Sequence, residues 1–567
     1  MQKARFRLPA LDTGWATNIS PMLLEQDKGY SDLLQNLDVS TPGVPKKRAG
    51  VVEVLDAATT NSIVHAKEYT NLETGTSYII AFDGGTWFRR GTTTWISFRS
   101  GSPNIWTHRT SGGATGSYSM GIEGNMVDIP WGTGSAGIQE ALETVFGVGM
   151  VVVDGLIIRT ITFDVSLGTV PLIFDDSGVT KGTDYVHTLE ETQAAEADML
   201  TFANQLVLVD GVSDSALWDG AAVTTPAQFP VARYLAEYRN RIVAAGDPDE
   251  PSLLYLCHTG DPTIWNPDQI GSNATRMYVS PDDGEGITGI LNMGTGGVLI
   301  GKPSALYGLF GYARANMAVD LLDSTVGSLS HKAMQYIMPY AYFVNKQGIY
   351  RYTGSGGDAP ERISSWVQDY FESNTDMDEL HRAVAVVMGR YYVITLPQVG
   401  GGYYTLSFHT ETGRWNLWTA PVMGAYLYTK NDPEGIVYYS EPWGNQFYRV
   451  TPSALSDEGP VAINALIETR ELDGDVPEVD KDFHDLYLIC SGATNDYTVT
   501  VFMQVDNGAW ENMGAVTVGT PVRMQSVHRI VLGRTARFLK FRFQNNVVNE
   551  QFSPLGLRLT YTPKDVL

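Results

Sequence analysis

Cysteine is scarce. The 567 residues hold two, Cys257 and Cys490, too few for a disulfide framework and far apart in the chain. Both read as small buried hydrophobes. Positive charge is also in short supply. Against 63 acidic residues stand 39 Lys and Arg, a formal net charge of −24. That balance excludes a general polyanion binder, because such affinity comes from basic side chains neutralising phosphates. It equally disfavours an anionic membrane surface. The longest apolar run, Val148 to Ile158, is interrupted by Asp154 and Gly155 and falls short of the ~20 residues that span a bilayer. The basic start Met1-Gln-Lys-Ala-Arg-Phe-Arg lacks the apolar core of a secretory signal. The expectation is a chain kept in an aqueous, reducing compartment without a stable membrane anchor.

Catalytic motifs are missing as well. There is no His-Glu-x-x-His, Gly-x-Ser-x-Gly, complete phosphate loop or Cys-x-x-Cys. Gly301-Lys302 runs into Pro303-Ser304, which breaks the Lys-Ser/Thr pair that a nucleotide requires. Gly294, Gly296 and Gly297 read as turn residues outside any dinucleotide-binding context. His258 follows Cys257, but neighbours on a strand face opposite ways, so both read as structural. The acidic runs Asp282-Asp-Gly-Glu285 and 471–482 offer oxygen ligands or paired carboxylates, yet neither follows a calcium-loop pattern. They read as a solvated turn and a charged linker, and the sequence leaves calcium binding at 471–482 open. Aromatics, 11% of the chain, read as core filling. No catalytic, cofactor-binding or metal-ligating residue is expected, no cofactor is expected, and the chain is not expected to be an enzyme.

What is present is β pattern. At one domain per ~150 residues the length fits two to four domains, and 43% hydrophobic against 18% charged residues supports large buried cores. Short β-branched and aromatic runs alternate with Gly, Asp and Asn turns. Ser77-Tyr-Ile-Ile-Ala-Phe-Asp-Gly-Gly-Thr-Trp-Phe-Arg reads as a hairpin turning at Asp83-Gly84-Gly85. Similar units recur at Gln205–Gly211 with Leu217–Gly220, at Ala341–Tyr352, and at Tyr404–Phe408 with Glu411–Trp415. Repeated small antiparallel sheets predict a β-propeller, with a stack of sandwiches as the competing architecture.

The expected organisation is an extended segment over 1–50 for ring or platform contacts, and a propeller from 51–110 and 195–455. An α+β domain is inserted at 111–194, and an antiparallel β-sandwich covers 456–567. In the insertion, Ile138, Ala141, Leu142 and Val145 form the stripe of an amphipathic helix capped by Ser135. Ser111–Gly121 reads as a pliant lead-in. Ile363, Trp366, Val367, Tyr370 and Phe371 predict a second helix with Pro360 in its first turn.

In order along the chain, several stretches resemble the tail nozzle proteins of short-tailed bacteriophages, also called tail tubular protein B or phage stabilisation proteins. They are Asn18-Ile-Ser, Leu37-Asp-Val-Ser-Thr-Pro-Gly, Lys47-Arg-Ala-Gly50, Arg233–Gly246, Gly260-Asp-Pro-Thr-Ile-Trp265, Gly286-Ile-Thr-Gly-Ile-Leu, Val326–Ser330, Gln347–Tyr352 and Gly413-Arg-Trp415. Ala49 stands where the family tends to carry proline. The insertion is similar to a small repeat of phage tail proteins. The resemblance implies a structural virion protein of the tail, assembled in the host cytoplasm. It implies a homohexameric ring that retains and ejects double-stranded DNA without sequence-specific binding, and docks an adaptor, a tail fibre or spike, and a needle or plug. Six such chains would carry six times −24, or −144. Part of that charge is expected to line the channel as a weakly repulsive wall, the alternative being an acidic outer surface. A β-propeller carbohydrate-binding module or glycosidase is an alternative reading, and a monomeric adhesion module a third.

Overall fold

The computed structural model describes residues 4–564 apart from 9, 12–13, 18–29, 43, 54–61, 92–94, 101–104, 112–113, 123, 157, 165–166, 168–169, 171, 182–185, 194–195, 355–357, 429–436, 443, 452, 458–460, 475, 493–494 and 520–524. The stretch Asn18-Ile-Ser therefore lies outside the described residues. Strands take up 53% of the described residues and helices 7%, so the fold is mainly β. The chain forms two compact units. One joins Met1–Val54, Lys332–Met423 and Tyr448–Leu567, and the other joins Leu55–His331 and Gly424–Phe447.

In the second unit, four-stranded antiparallel sheets succeed one another along the chain. They run from His65–Asn71 to Trp95–Ser100, from Asp198–Phe202 to Val223–Thr224, from Tyr234–Glu237 to Thr275–Tyr278, and from Gly289–Asn292 to Ala318–Asp323. The first strand of each lies beside the first strand of the next, and Ala425–Tyr428 lies beside His65–Asn71. This is the construction of a β-propeller.

The residues explain the stacking. In Gln205–Val209, Leu206 and Leu208 pack with Ile80, Phe82 and Trp87 of the preceding sheet, while Val207 and Val209 pack with Leu235, Ile242 and Leu253 of the following one. The strand Ile242–Ala245 divides in the same way, Ile242 and Ala244 backward, Val243 and Ala245 forward. Strands buried on both faces must be apolar throughout, which is why these segments lack polar alternation. Each Leu or Val so buried contributes roughly 1.5–3 kcal/mol.

The insertion has its own core of Trp106, Tyr118, Ile138, Leu142, Val153, Ile161 and Phe163 among others. Its helix, Ser135–Phe146, buries Ile138 and Leu142. Ser135 is not the cap: Gly134 occupies that position, and the Ser135 hydroxyl donates to the Gly155 carbonyl instead. The Val153 N–H donates to Gln139 Oε1 at 3.2 Å, so the helix covers the edge strand Val151–Gly155. Most of the stretch read as a pliant lead-in, Ser111–Gly121, belongs to the strand Ala114–Ile122, paired with Asn125–Pro130. Gly121 is required there, since a Cβ would lie 2.3 Å from the Asn125 carbonyl oxygen.

In the first unit, Gln335–Ile337, Tyr340–Asn345, Gly348–Tyr352 and Glu361–Arg362 make another four-stranded sheet, whose first strand lies beside Val384–Met388. The expected second helix is shorter than its apolar stripe. Glu361–Arg362 is a strand paired with Tyr350 and Arg351, so Pro360 precedes a strand, and a 3₁₀ turn, Ser364–Val367, leads into the helix Gln368–Asn374. The strands Val384–Met388 to Arg414–Trp418 continue through Tyr30–Gln35 into Ala465–Thr469, Leu539–Asn545, Tyr497–Val505 and Trp510–Val518. A separate sheet orders Ala4–Leu8, Pro554–Pro563, Lys481–Ser491 and Gln525–Ala536. These two sheets make the C-terminal sandwich, antiparallel except that Tyr30–Gln35 pairs in parallel with Gly14–Trp15 and Arg414–Trp418. Residues 1–50, read as an extended segment, supply a strand to each of them. Among the described residues no helix is long and apolar enough to cross a membrane.

Candidate functional site

The motifs singled out from sequence are engaged in architecture. Cys257 is fully buried, its sulfur accepts the Ile242 N–H at 3.0 Å, and burial pushes the thiol up to about 12. His258 turns away from it, with Nδ1 accepting the Asn273 N–H at 3.1 Å. The Lys302 ammonium reaches Asp283 Oδ1 and Oδ2 at 2.8 and 2.9 Å and the Ser280 carbonyl at 3.0 Å. Glu285 accepts the Ser304 hydroxyl at 2.8 Å. The 282–285 run is thus consumed in one buried cation and one turn. In the 471–482 run, Asp482 faces Lys564 at 3.2 Å and Asp480 faces Arg537 at 3.6 Å. Among the described residues no three His, Cys, Asp or Glu side chains are placed to hold a metal ion.

A constellation that motif reading did not find lies in the second unit. His65, Asp198 and Tyr234 are each the first residue of the first strand of a sheet, so propeller stacking brings the three together. Asp198 Oδ2 accepts the Leu235 N–H at 2.7 Å and faces His331 Nε2 at 3.0 Å. Its Oδ1 accepts the Met199 N–H at 2.7 Å and faces His65 Nε2 at 3.7 Å. The Ile290 N–H donates to His331 Nδ1 at 3.3 Å, which fixes the tautomer with the proton on Nε2, toward Asp198. The Tyr234 ring packs on His331 with centroids 4.8 Å apart, and its hydroxyl donates to Glu196 Oε2 at 3.2 Å.

The electrostatics follow from burial and partners. Burial pushes the Asp198 carboxyl up, but the His331 hydrogen bond and the nearby His65 and Lys67 outweigh it and hold the group well below the ordinary carboxylate range. Burial and the Glu196 carboxylate drive the Tyr234 phenol well above its ordinary value. Asp198 is therefore held as an anion near neutrality, where it orients His331 and joins strands. Glu196 is a base within reach of a phenol proton. The sequence signal was available: with the hairpin units aligned, His65, Asp198 and Tyr234 fall at the same register position.

No protein-family model matches the chain, and no curated protein matches it. Solved structures do. The chain is similar to the exo-β-1,3-galactanase of Phanerochaete chrysosporium at 9% identity, over 66% of this chain and 97% of that one, with a TM-score of 0.19. It is similar to the Trypanosoma rangeli sialidase at 9% identity, over 67% and 93%, with a TM-score of 0.28. It is also similar to the C-terminal domain of a Bacteroides fragilis chitobiase at 17% identity, spanning 18% of this chain and 66% of that one, with a TM-score of 0.14. The expectation that the chain is not an enzyme is corrected by these findings, because several of the similar structures are glycoside hydrolases and sialidases. At such identities and TM-scores the likeness assigns no activity.

Proposed function

We propose that the chain is a tail nozzle or tail-tube subunit of a short-tailed bacteriophage, working as a homohexameric ring in the virion. The observation that carries this reading is what four of the resembling stretches do: residues in them fasten one element to another. From Leu37–Gly43, Asp38 accepts the Tyr391 hydroxyl at 2.6 Å. From Lys47–Gly50, Arg48 clamps Asp457, with Nη1 2.9 Å from Oδ1, and Lys47 reaches Asn545. From Gly260–Trp265, Trp265 stacks on Phe229 at 4.5 Å and donates to the Pro262 carbonyl at 2.7 Å. From Gly413–Trp415, Trp415 donates to the Ile363 carbonyl at 2.9 Å. Residues spent on rigidity suit a duct that works mechanically. The ring conveys double-stranded DNA and docks an adaptor above and fibres, spikes or a plug around and below. Electron microscopy of the purified chain tests this. Six-fold rings support the reading, and single particles in every salt overturn it.

A saccharide-acting β-propeller is the second reading, favoured by Tyr234, Glu196 and Asp198. A carboxylate hydrogen-bonded to a phenol, beside a second carboxylate that is ionised near neutrality, suits a glycosidase with a tyrosine nucleophile. It is also the class for which several of the similar solved structures are named. The depth of Tyr234 works against it, because burial makes the phenol harder to ionise. Reducing ends released from a polysaccharide by the wild type and not by Y234F would establish this reading and displace the first.

A further inference from the structure

One sheet of the C-terminal sandwich carries an arginine row on its outer face. In register across four strands, Arg7 lies opposite Arg558, Arg558 opposite Tyr487, and Tyr487 opposite Arg529. Residues directly opposite in a sheet share a face, and the alternate positions Phe6, Leu8, Leu486, Leu488, Leu557 and Leu559 are buried on the other side. Arg5 stands two residues from Arg7 on the same face. The Arg558 guanidinium lies over the Tyr487 ring, 4.3 Å from its centroid, and Arg529 pairs with Asp485 at 2.8 Å. Among the described residues Arg5, Arg7 and Arg558 make no ion pair. Further along, Asp482 is taken by Lys564 and Thr535. Around the row, Val527 is 59% and Val531 65% exposed.

Like charges opposite one another in a sheet destabilise it, and this chain has 24 more acidic than basic residues. Of these four arginines only Arg529 pairs with a carboxylate among the described residues, so the row calls for an outside partner. Arginine and tyrosine are both enriched in protein–protein interfaces relative to the rest of the surface. From this we infer that the outer face of the sheet Ala4–Leu8, Pro554–Pro563, Lys481–Ser491, Gln525–Ala536 docks an acidic surface of a second copy of this chain. Charge complementarity selects the copy: each chain is strongly acidic, so two copies repel unless a basic face meets acid. The inference rests on the ring proposed above and names the surface that closes it.

The test is the oligomeric state of the full chain by mass photometry, for wild type and R5E/R7E, with V527K/V531K as a second variant. Arg5 and Arg7 are exposed on an edge strand, so thermal unfolding should be unchanged. The expected result is a ring that weakens with added salt and needs about tenfold more protein to form in R5E/R7E, as for a charge-matched interface. A wild-type ring that both variants leave intact overturns this inference alone. A wild type that stays single in all conditions overturns the ring reading and, with it, the inference. If R5E/R7E instead abolishes binding of a random-sequence DNA duplex while assembly is unchanged, the face serves a nucleic acid and the inference fails.

Discussion

Lys302 and Asp283 form a pair in which a fully buried ammonium meets both oxygens of a partly exposed carboxylate, at 2.8 and 2.9 Å. Burial pushes the Asp283 carboxyl up, yet the Lys302 hydrogen bonds hold it below its ordinary value. The pair ties the turn after Thr275–Tyr278 to the end of Val298–Gly301. Replacing Asp283 with Asn strands the ammonium on Ser280 and Ser252, and a loss of about 3 kcal/mol is expected, the low end for breaking a buried pair because Asp283 keeps some water. K302M leaves a carboxylate that can hydrate, so it should cost less. Urea unfolding of both variants checks the order.

Asp198 supplies a second test. Its folded pKa is depressed, so its contribution is full above the ordinary carboxylate range and is lost as pH falls through and below that range. D198N should cost about 2–3 kcal/mol near neutrality, the scale of hydrogen bonds to a charged group. It should also flatten the acid limb of the stability curve relative to wild type. An unchanged acid limb would mean that Asp198 is not the anion described.

In the insertion, His108 and His187 meet Nε2 to Nε2 at 3.1 Å. Burial lowers both, His108 down to about 3, with His187 and Arg159 adding to the effect on His108. The folded domain therefore binds fewer protons than the unfolded chain below the ordinary histidine value of 6.5. Stability should fall as pH drops from about 6.5 toward about 3. Protection factors of the Ser135–Phe146 amides, exchange rates taken relative to the intrinsic rate at each pH, should fall over that window, and H108Q should remove most of the pH dependence.

Leu142 is fully buried in the insertion's separate core. L142A should cost about 2–5 kcal/mol. Because that core shares no cluster with the propeller sheets, limited proteolysis should cut within the insertion first, while the remaining sheets keep their protection.

Much of the fold was legible because its signals are local. Asp83, whose Oδ1 accepts the Gly85 and Thr86 N–H groups, declares a turn in four residues, and the hairpins at Gln205, Ala341 and Tyr404 declare themselves likewise. Ser135 misled because a serine ahead of an apolar stripe signals a cap, and only tertiary structure offers its hydroxyl the Gly155 carbonyl. Pro360 misled because nothing nearby shows that Glu361 and Arg362 have a strand to pair with. The cluster at Asp198 was legible only in part: His65, Asp198 and Tyr234 share a register position, but with His331 they span more than 260 positions and meet only through the stacking of sheets.

The central claim is that this chain closes into a ring of six. Native mass spectrometry of the purified full chain at low salt measures that directly. The account predicts a dominant species of six times the 62.1 kDa chain mass, dissociating as salt is raised. A single-chain mass at every concentration and salt, in a preparation that releases reducing ends from a polysaccharide through Tyr234, would contradict it.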